Sequence, residues 1–316
     1  MSKSNNALHS ESRPFRIEFW PQRAWDWRIA FYLFLAGASG GLIFIELLLK
    51  ELSIIDQRTA DWGGWLGIVI ASISLLILFS HLGPGVRWKA WNVFRNIRRS
   101  WISRGAFIVT VLMLLRILVM LPSLIDDLPW ADGTNAATVI RIVVMLFALA
   151  FMTYSGIVLS SWNSIAFWNT PLLPILYISY SFLSGTAIIP IISIFTVGMD
   201  ELNSIGIVLW PLILGLLLGS GFLLITYVYG MATSSVPAKQ SVRILINGEK
   251  RWHFWIGVIL IGLLIPILIV SLPTLGILSL QWVGTTLLII ACINILIGGY
   301  ILRNLILACG LYGPPI

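Results

Sequence analysis

Three observations predict an all-α integral membrane protein of eight transmembrane helices with both termini cytoplasmic. Apolar runs of about 20 residues recur along nearly the whole chain, charge is scarce, and the basic residues gather in alternate loops. Of the 316 residues, 58% are apolar and only 10% charged, with a mean hydropathy of +0.94. Soluble domains carry roughly 25% charged residues, so this chain lacks the polar surface to coat a water-soluble globule. That excludes a soluble enzyme, a disordered chain and a disulfide scaffold. The net charge of +7 comes from 20 Lys and Arg against 13 Asp and Glu. In a membrane protein it reports orientation before it suggests any nucleic-acid partner.

The elements follow in order. Residues 1–24 form a polar N-terminal segment with Arg13, Arg16 and Arg23, lacking the apolar stretch and cleavage site of a signal peptide. The membrane domain, residues 25–303, holds eight spans at 27–49, 62–83, 105–125, 138–160, 171–198, 205–231, 253–275 and 280–302. Each is about 20 residues or longer, enough at about 1.5 Å per residue to cross about 30 Å of hydrocarbon. Residues 304–316 make a short apolar tail ending Gly313-Pro314-Pro315, too short for a ninth span. Trp25, Trp27, Trp62, Trp65, Trp101, Trp162, Trp168 and Trp252 sit at proposed span ends, as an interfacial belt requires.

Sixteen of the 20 Lys and Arg lie in the N-terminal segment, at the start of span 1 (Arg28), in the second and sixth loops and at the C-terminus, against Lys50 and Arg58 in the alternate loops. That bias places both termini in the cytoplasm. Two Cys, Cys292 and Cys309, cannot supply the four thiolates an iron–sulfur cluster usually needs. His9, His81 and His253 fall short of the four ligands of a two-haem cytochrome, although one haem on His81 and His253 is arithmetically open. The expectation is a chain with neither haem nor iron–sulfur cluster, so any electrons arrive on a mobile or partner-borne carrier.

Alternation of the spans brings the start of span 1, the ends of spans 2 and 4 and the fourth loop to the cytoplasmic face. Those places hold Trp25, Trp27, His81, Tyr154, Asn163, Trp168 and Asn169. A phenol, an imidazole and indoles at one boundary can hydrogen-bond a quinone's carbonyls and sandwich its ring. An aromatic belt with helix-end hydrogen bonds accounts for the same residues.

The motifs add weight to the first reading. Span 1 reads Tyr32-Leu-Phe-Leu-Ala-Gly37-Ala-Ser39-Gly40-Gly41, and span 2 ends Ser80-His81-Leu-Gly83-Pro84, followed by Ser100-Trp101-Ile-Ser-Arg104-Gly105. Span 4 carries Tyr154-Ser-Gly156, then Ala166-Phe-Trp168-Asn169-Thr170-Pro171-Leu-Leu-Pro174 and Leu183-Ser184-Gly185 follow. In this order they resemble the NrfD/PsrC family, quinone-reactive membrane subunits of polysulfide-reductase-like complexes. Looser matches extend to Phe254-Trp255-Ile-Gly257 and Gly298-Gly299-Tyr300-Ile-Leu-Arg303.

The resemblance implies an eight-helix anchor in the cytoplasmic (inner) membrane of a prokaryote, binding menaquinone or ubiquinone. Beside it would sit an iron–sulfur electron-transfer subunit, serving a large catalytic subunit with molybdenum or tungsten on a pterin. The family's quinone-contacting tyrosine falls on Tyr154, its Trp-Asn pair on Trp168 and Asn169, and His81 matches a position of His or Asp. Where a relative's span 1 offers a His and an Asn, this chain has Tyr32 and Ile29. Sulfite, polysulfide, thiosulfate, sulfoxides and arsenic oxyanions all stay open as terminal substrates.

Other polar features have two readings each. Glu46, Arg116 and Arg141 lie within or at the edge of spans, where charge is costly, and are expected to form one polar seam that braces the bundle or conducts protons. Gly37, Gly40 and Gly41 suit close helix packing or a close approach to a quinone ring. The second loop interleaves Arg87, Lys89, Arg95, Arg98, Arg99 and Arg104 with Trp88, Trp91 and Phe94. It suits anionic lipid, or docking of an acidic cytoplasmic subunit, better than nucleic acid. Pro190 and Pro266 interrupt spans 5 and 7, so a secondary transporter or ion channel with a midplane site is the alternative function.

Overall fold

The computed structural model describes residues 19–81, 90–125, 128–277 and 282–313. Its helices are α1 (Trp27–Glu51), α2 (Gln57–His81), α3 (Trp101–Met120), α4 (Asn135–Ser160), α5 (Leu172–Thr196), α6 (Gly198–Thr233), α7 (Val236–Ile246), α8 (His253–Thr274) and α9 (Trp282–Ala308). All but α7 are long and apolar enough to span a bilayer, which makes this an all-α membrane protein with eight spans. The eighth runs to Ala308, past the expected end at 302. Helices α5 and α6 are separated by a single residue, Val197, because Gly198 at φ +82° turns the chain directly into α6, whose membrane-spanning part begins at Ile205.

Side chains start four of the spans, Asp56 accepting the Thr59 N–H ahead of α2. Asp26 accepts the Arg28 N–H ahead of α1, Ser100 the Ser103 N–H ahead of α3, and Thr134 the Ala137 N–H ahead of α4. Burial then sorts the helices: 83% of the α1 span and 72% of the α5 span are inside the protein, against 28% for α3. The pair α1 and α5 is therefore the axis. On one side α1 meets α2 and α4, with α3 outside them; on the other, α5 meets α6 and α9, with α8 against both α6 and α9.

No aqueous hydrophobic effect presses helices together in lipid, so close contact relies on small residues. A Cβ on Gly41 would overlap the Ser181 carbonyl, and one on Gly185 would overlap the Gly41 backbone. Gly37 abuts Ser181 and Arg303, while Gly40 abuts Met152 and the Ala148 carbonyl. These span 1 glycines pack helices. Gly262 against Gly298 repeats the device between α8 and α9. Pro190 sits inside a continuous α5, and α8 changes from a π-helical His253–Leu264 to α-helix just before Pro266.

At the face where α1 begins, Trp20–Pro21 pairs antiparallel with Leu311–Tyr312, Trp20 opposite Tyr312. The Gln22 amide donates to the Leu307 carbonyl and its backbone N–H to Gly310, tying the first span to the last. In the sixth loop, α7 buries Ala238, Ser241, Val242 and Leu245 at helical spacing and lies as a short amphipathic helix near this ribbon.

Candidate functional site

Tyr154 sits six residues before the end of α4, about 9 Å from that end. Its ring packs on Gly105 of α3, where any Cβ would overlap the ring carbons. Its side chain lies beside that of Tyr32, five residues into α1. Both phenols are buried, each 5% exposed. Three helices thus hold two neighbouring phenols a short distance below one face. A phenol so placed can donate a hydrogen bond, and a proton, to a carbonyl oxygen entering from the lipid.

His81 ends α2, with Nδ1 3.6 Å from Asp26 Oδ1. Asp26 also binds the Arg28 guanidinium at 2.7 Å. Burial alone would raise the Asp26 pKa, but the Arg28 hydrogen bonds and charge, with His81, bring it below the ordinary aspartate value.

Trp168 is buried and its indole N–H donates to the Ile306 carbonyl at 2.7 Å, capping the end of α9. Trp25 packs against it at 5.5 Å between ring centroids and against Trp162 at 5.7 Å. Asn169 is exposed and donates to Asn163 at 2.9 Å. Among the described residues, no hydrogen bond or ring contact joins Trp168 or Asn169 to Tyr154. The four expected site residues therefore share one end of the bundle, in two groups: the phenols between α1, α3 and α4, and the indoles beneath the end of α9.

The expected single seam of Glu46, Arg116 and Arg141 divides in two. Arg116 Nε donates to Glu46 Oε1 at 2.9 Å and its NH2 to the Ala60 carbonyl at 3.0 Å, with both side chains fully buried. Gly63 and Gly64 of α2 clear the space for these side chains. Arg141 instead binds Glu51 and, at 2.6 Å, Asp132, which also holds Lys50 at 2.8 Å. Arg141 starts only six residues into α4, so its long side chain reaches the loop carboxylates rather than Glu46. Asp132 is 53% exposed; burial raises its pKa, yet the Lys50 and Arg141 contacts lower it below the ordinary value. At this same opposite face an open cleft of about 710 Å³ is lined in part by Asp56, Arg58, Asp61 and Trp62.

Of the basic second-loop residues, Arg87 lies outside the described residues. Arg95, Arg98 and Arg99 are exposed, whereas Arg104 donates to the Ile97 and Arg98 carbonyls and stacks on Trp101 at 4.5 Å, fastening the loop to α3. Among the described residues, no group of three or more His, Cys, Asp or Glu is placed to hold a metal.

Arg303 is the residue that sequence reasoning missed. Counted there as a C-terminal charge, it is 1% exposed inside the α1–α5–α9 junction, bonded to Ser181 Oγ and the Gly299 carbonyl, both at 3.2 Å. Its guanidinium lies 5.2 Å from the Tyr177 ring and 5.7 Å from Phe34, and no carboxylate among the described residues is in ion-pair range. Its Nε and the Tyr177 and Tyr180 hydroxyls are buried without a hydrogen-bond partner among the described residues. The available signal was its place within the last apolar run.

The family model described as "Polysulphide reductase, NrfD" matches residues 17–314. Protein NrfD of Escherichia coli is 27% identical, covering 90% of this chain and 94% of that protein. The C subunit of polysulfide reductase from Wolinella succinogenes is also 27% identical, covering 81% of this chain and 86% of the relative. A protein NrfD homolog of Haemophilus influenzae is 24% identical over 78% of this chain and 83% of its own length. With eight spans, two neighbouring phenols near one face and a family match over nearly its whole length, this chain belongs to the NrfD family of membrane proteins.

Proposed function

We propose that this protein is the quinone-reactive membrane anchor of a multi-subunit oxidoreductase. It exchanges electrons between the quinone pool, menaquinone or ubiquinone, and a partner iron–sulfur subunit. That subunit serves a molybdenum or tungsten pterin subunit working on polysulfide, thiosulfate, sulfite or sulfoxide-type substrates. The observation that carries this reading is the seating of Tyr154: a buried phenol, packed on Gly105 and beside Tyr32, close beneath one face of the bundle. The polysulfide reductase subunit among the relatives supports the complex.

In this reading Tyr154 donates its hydroxyl to a quinone carbonyl, and the buried site excludes water from the developing charge. Bound quinone supplies two-electron redox chemistry. His81, held beside Asp26, and the indoles of Trp25 and Trp168 shape the entrance at the same face; Asn169 lies at its rim. The charge bias makes that face cytoplasmic, in the inner membrane of a prokaryote, with both termini on that side. Arg95, Arg98 and Arg99, with Arg87, then offer a docking surface to the acidic face of the iron–sulfur subunit, while Arg104 holds the loop's shape. The Glu46–Arg116 pair braces α1, α2 and α3, and Arg141 pins α4 at the far face.

Affinity purification of the tagged protein from its native membrane tests the proposal. Quinone extracted in near-stoichiometric amount, with iron–sulfur and pterin-binding subunits identified by mass spectrometry, is the expected result. A lone polypeptide without quinone would overturn it.

A further inference from the structure

We propose that the cleft at the face opposite Tyr154 binds a zwitterionic phospholipid with a primary ammonium, of the phosphatidylethanolamine class. The proposal does not depend on the quinone reading. The first turns of α2 supply most of the cleft: Asp56 just ahead of the helix, then Arg58, Asp61, Trp62 and Trp65, joined by Ser123 beyond the end of α3. Positions 58, 61, 62 and 65 recur at helical spacing and so share one face of α2. The volume of about 710 Å³ falls within the range of ligand clefts, about 300–1,000 Å³.

Charge decides what the cleft takes. The neighbouring charges of this face satisfy one another, Lys50, Glu51, Asp132 and Arg141 forming one network. Those of the cleft do not. Among the described residues, the Asp56 carboxylate accepts only the Thr59 N–H and that of Asp61 only the Gln57 amide, and neither they nor Arg58 has an ion-pair partner. Arg58 and Asp61 stand one helical turn apart, about 5–6 Å between Cβ atoms. A lipid phosphate and the ammonium two carbons beyond it are spaced on the same scale. The guanidinium suits the phosphate, the carboxylates accept the ammonium N–H groups, and the exposed indoles of Trp62 and Trp65 lie at head-group level, where their faces attract a cation. Two carboxylates against one guanidinium disfavour a lipid that carries only negative charge. Deeper in the membrane the same side of α2 continues as Val69, Ile73 and Leu76, all exposed, an apolar track for an acyl chain.

Native mass spectrometry of the full-length protein in mild detergent tests the site, with dioleoyl phosphatidylethanolamine, phosphatidylcholine and phosphatidylglycerol titrated separately. Phosphatidylethanolamine should bind at least about tenfold more tightly than the other two, because phosphatidylcholine has no ammonium N–H to donate and phosphatidylglycerol has no cation. Asn caps a helix as well as Asp, so the double variant Asp56→Asn, Asp61→Asn keeps the start of α2. It should erase the preference and leave phosphatidylglycerol, drawn to Arg58, as the tighter ligand. Phosphoethanolamine, which lacks acyl chains and cannot use the apolar track, should compete poorly. Equal affinity for phosphatidylethanolamine and phosphatidylcholine would overturn the proposal, as would a wild-type preference for phosphatidylglycerol. A phosphatidylethanolamine preference that survives the double variant would place the lipid elsewhere, and full competition by phosphoethanolamine would overturn the lipid assignment.

Discussion

Replacing Arg116 by methionine tests whether the Glu46–Arg116 pair is the brace that its geometry indicates. The guanidinium is 1% exposed and the carboxylate fully buried, with Nε and Oε1 2.9 Å apart. Arg116→Met leaves Glu46 as an uncompensated buried carboxylate and removes the hydrogen bond to the Ala60 carbonyl. Breaking such a pair from one side costs about 3–5 kcal/mol. Glu46→Gln strands the cation instead and should cost a similar amount. The double variant removes both charges, so it should be more stable than the sum of the singles implies, with a coupling of about 2 kcal/mol or more. Reversible unfolding in detergent, read by tryptophan fluorescence across this double-mutant cycle, measures it. Single variants within about 1 kcal/mol of wild type, or strictly additive effects, would refute the reasoning. In liposomes the proton-to-electron ratio of the Arg116→Met complex should match wild type; a drop would turn the brace into a conduction element.

Other outcomes follow from the same contacts. Tyr154→Phe keeps the ring on Gly105 and removes only the hydroxyl. A net hydrogen bond of about 0.5–1.5 kcal/mol then predicts a roughly 2- to 13-fold loss of quinone-linked turnover with dye-linked turnover intact. Gly105→Ala adds a methyl that overlaps the Tyr154 ring carbons, so overpacking of about 1–3 kcal/mol should displace the phenol and lower quinone turnover even though Tyr154 is present. Arg303→Met removes a buried charge that has no carboxylate partner among the described residues, so thermal stability in detergent should stay level or rise; a marked loss would show that the guanidinium has a counter-charge. The lowered Asp132 pKa means that its ion pairs stabilise the fold above the ordinary aspartate value of about 4 and fade as pH falls through the lower folded value. The stability deficit of Asp132→Asn relative to wild type should therefore be full near neutrality and vanish in strong acid, measured by pH-dependent unfolding.

The sequence by itself determined the spans, because crossing a bilayer is a requirement on local length and apolarity that each segment meets independently. Expected and observed spans agree to within a few residues at most ends, and the side-chain caps Asp26, Ser100 and Thr134 are local as well. The gathering of His81, Tyr154 and the indoles at one end also followed from sequence, since alternation of spans decides which ends share a face. Tertiary structure alone decided what these groups touch. Helix rotation and neighbour choice put Tyr32 against Tyr154, spent the Trp168 N–H on Ile306, and sent Arg141 to Asp132 rather than to Glu46. Arg303 shows the limit most plainly. Five residues from the end of its helix it reads as a snorkelling surface charge, yet α1 and α5 close over it because Gly37 and Gly299 leave room at the junction. A hydropathy profile has no term for the rotation of one helix about its own axis, and that angle decides whether a side chain meets lipid, water or a partner.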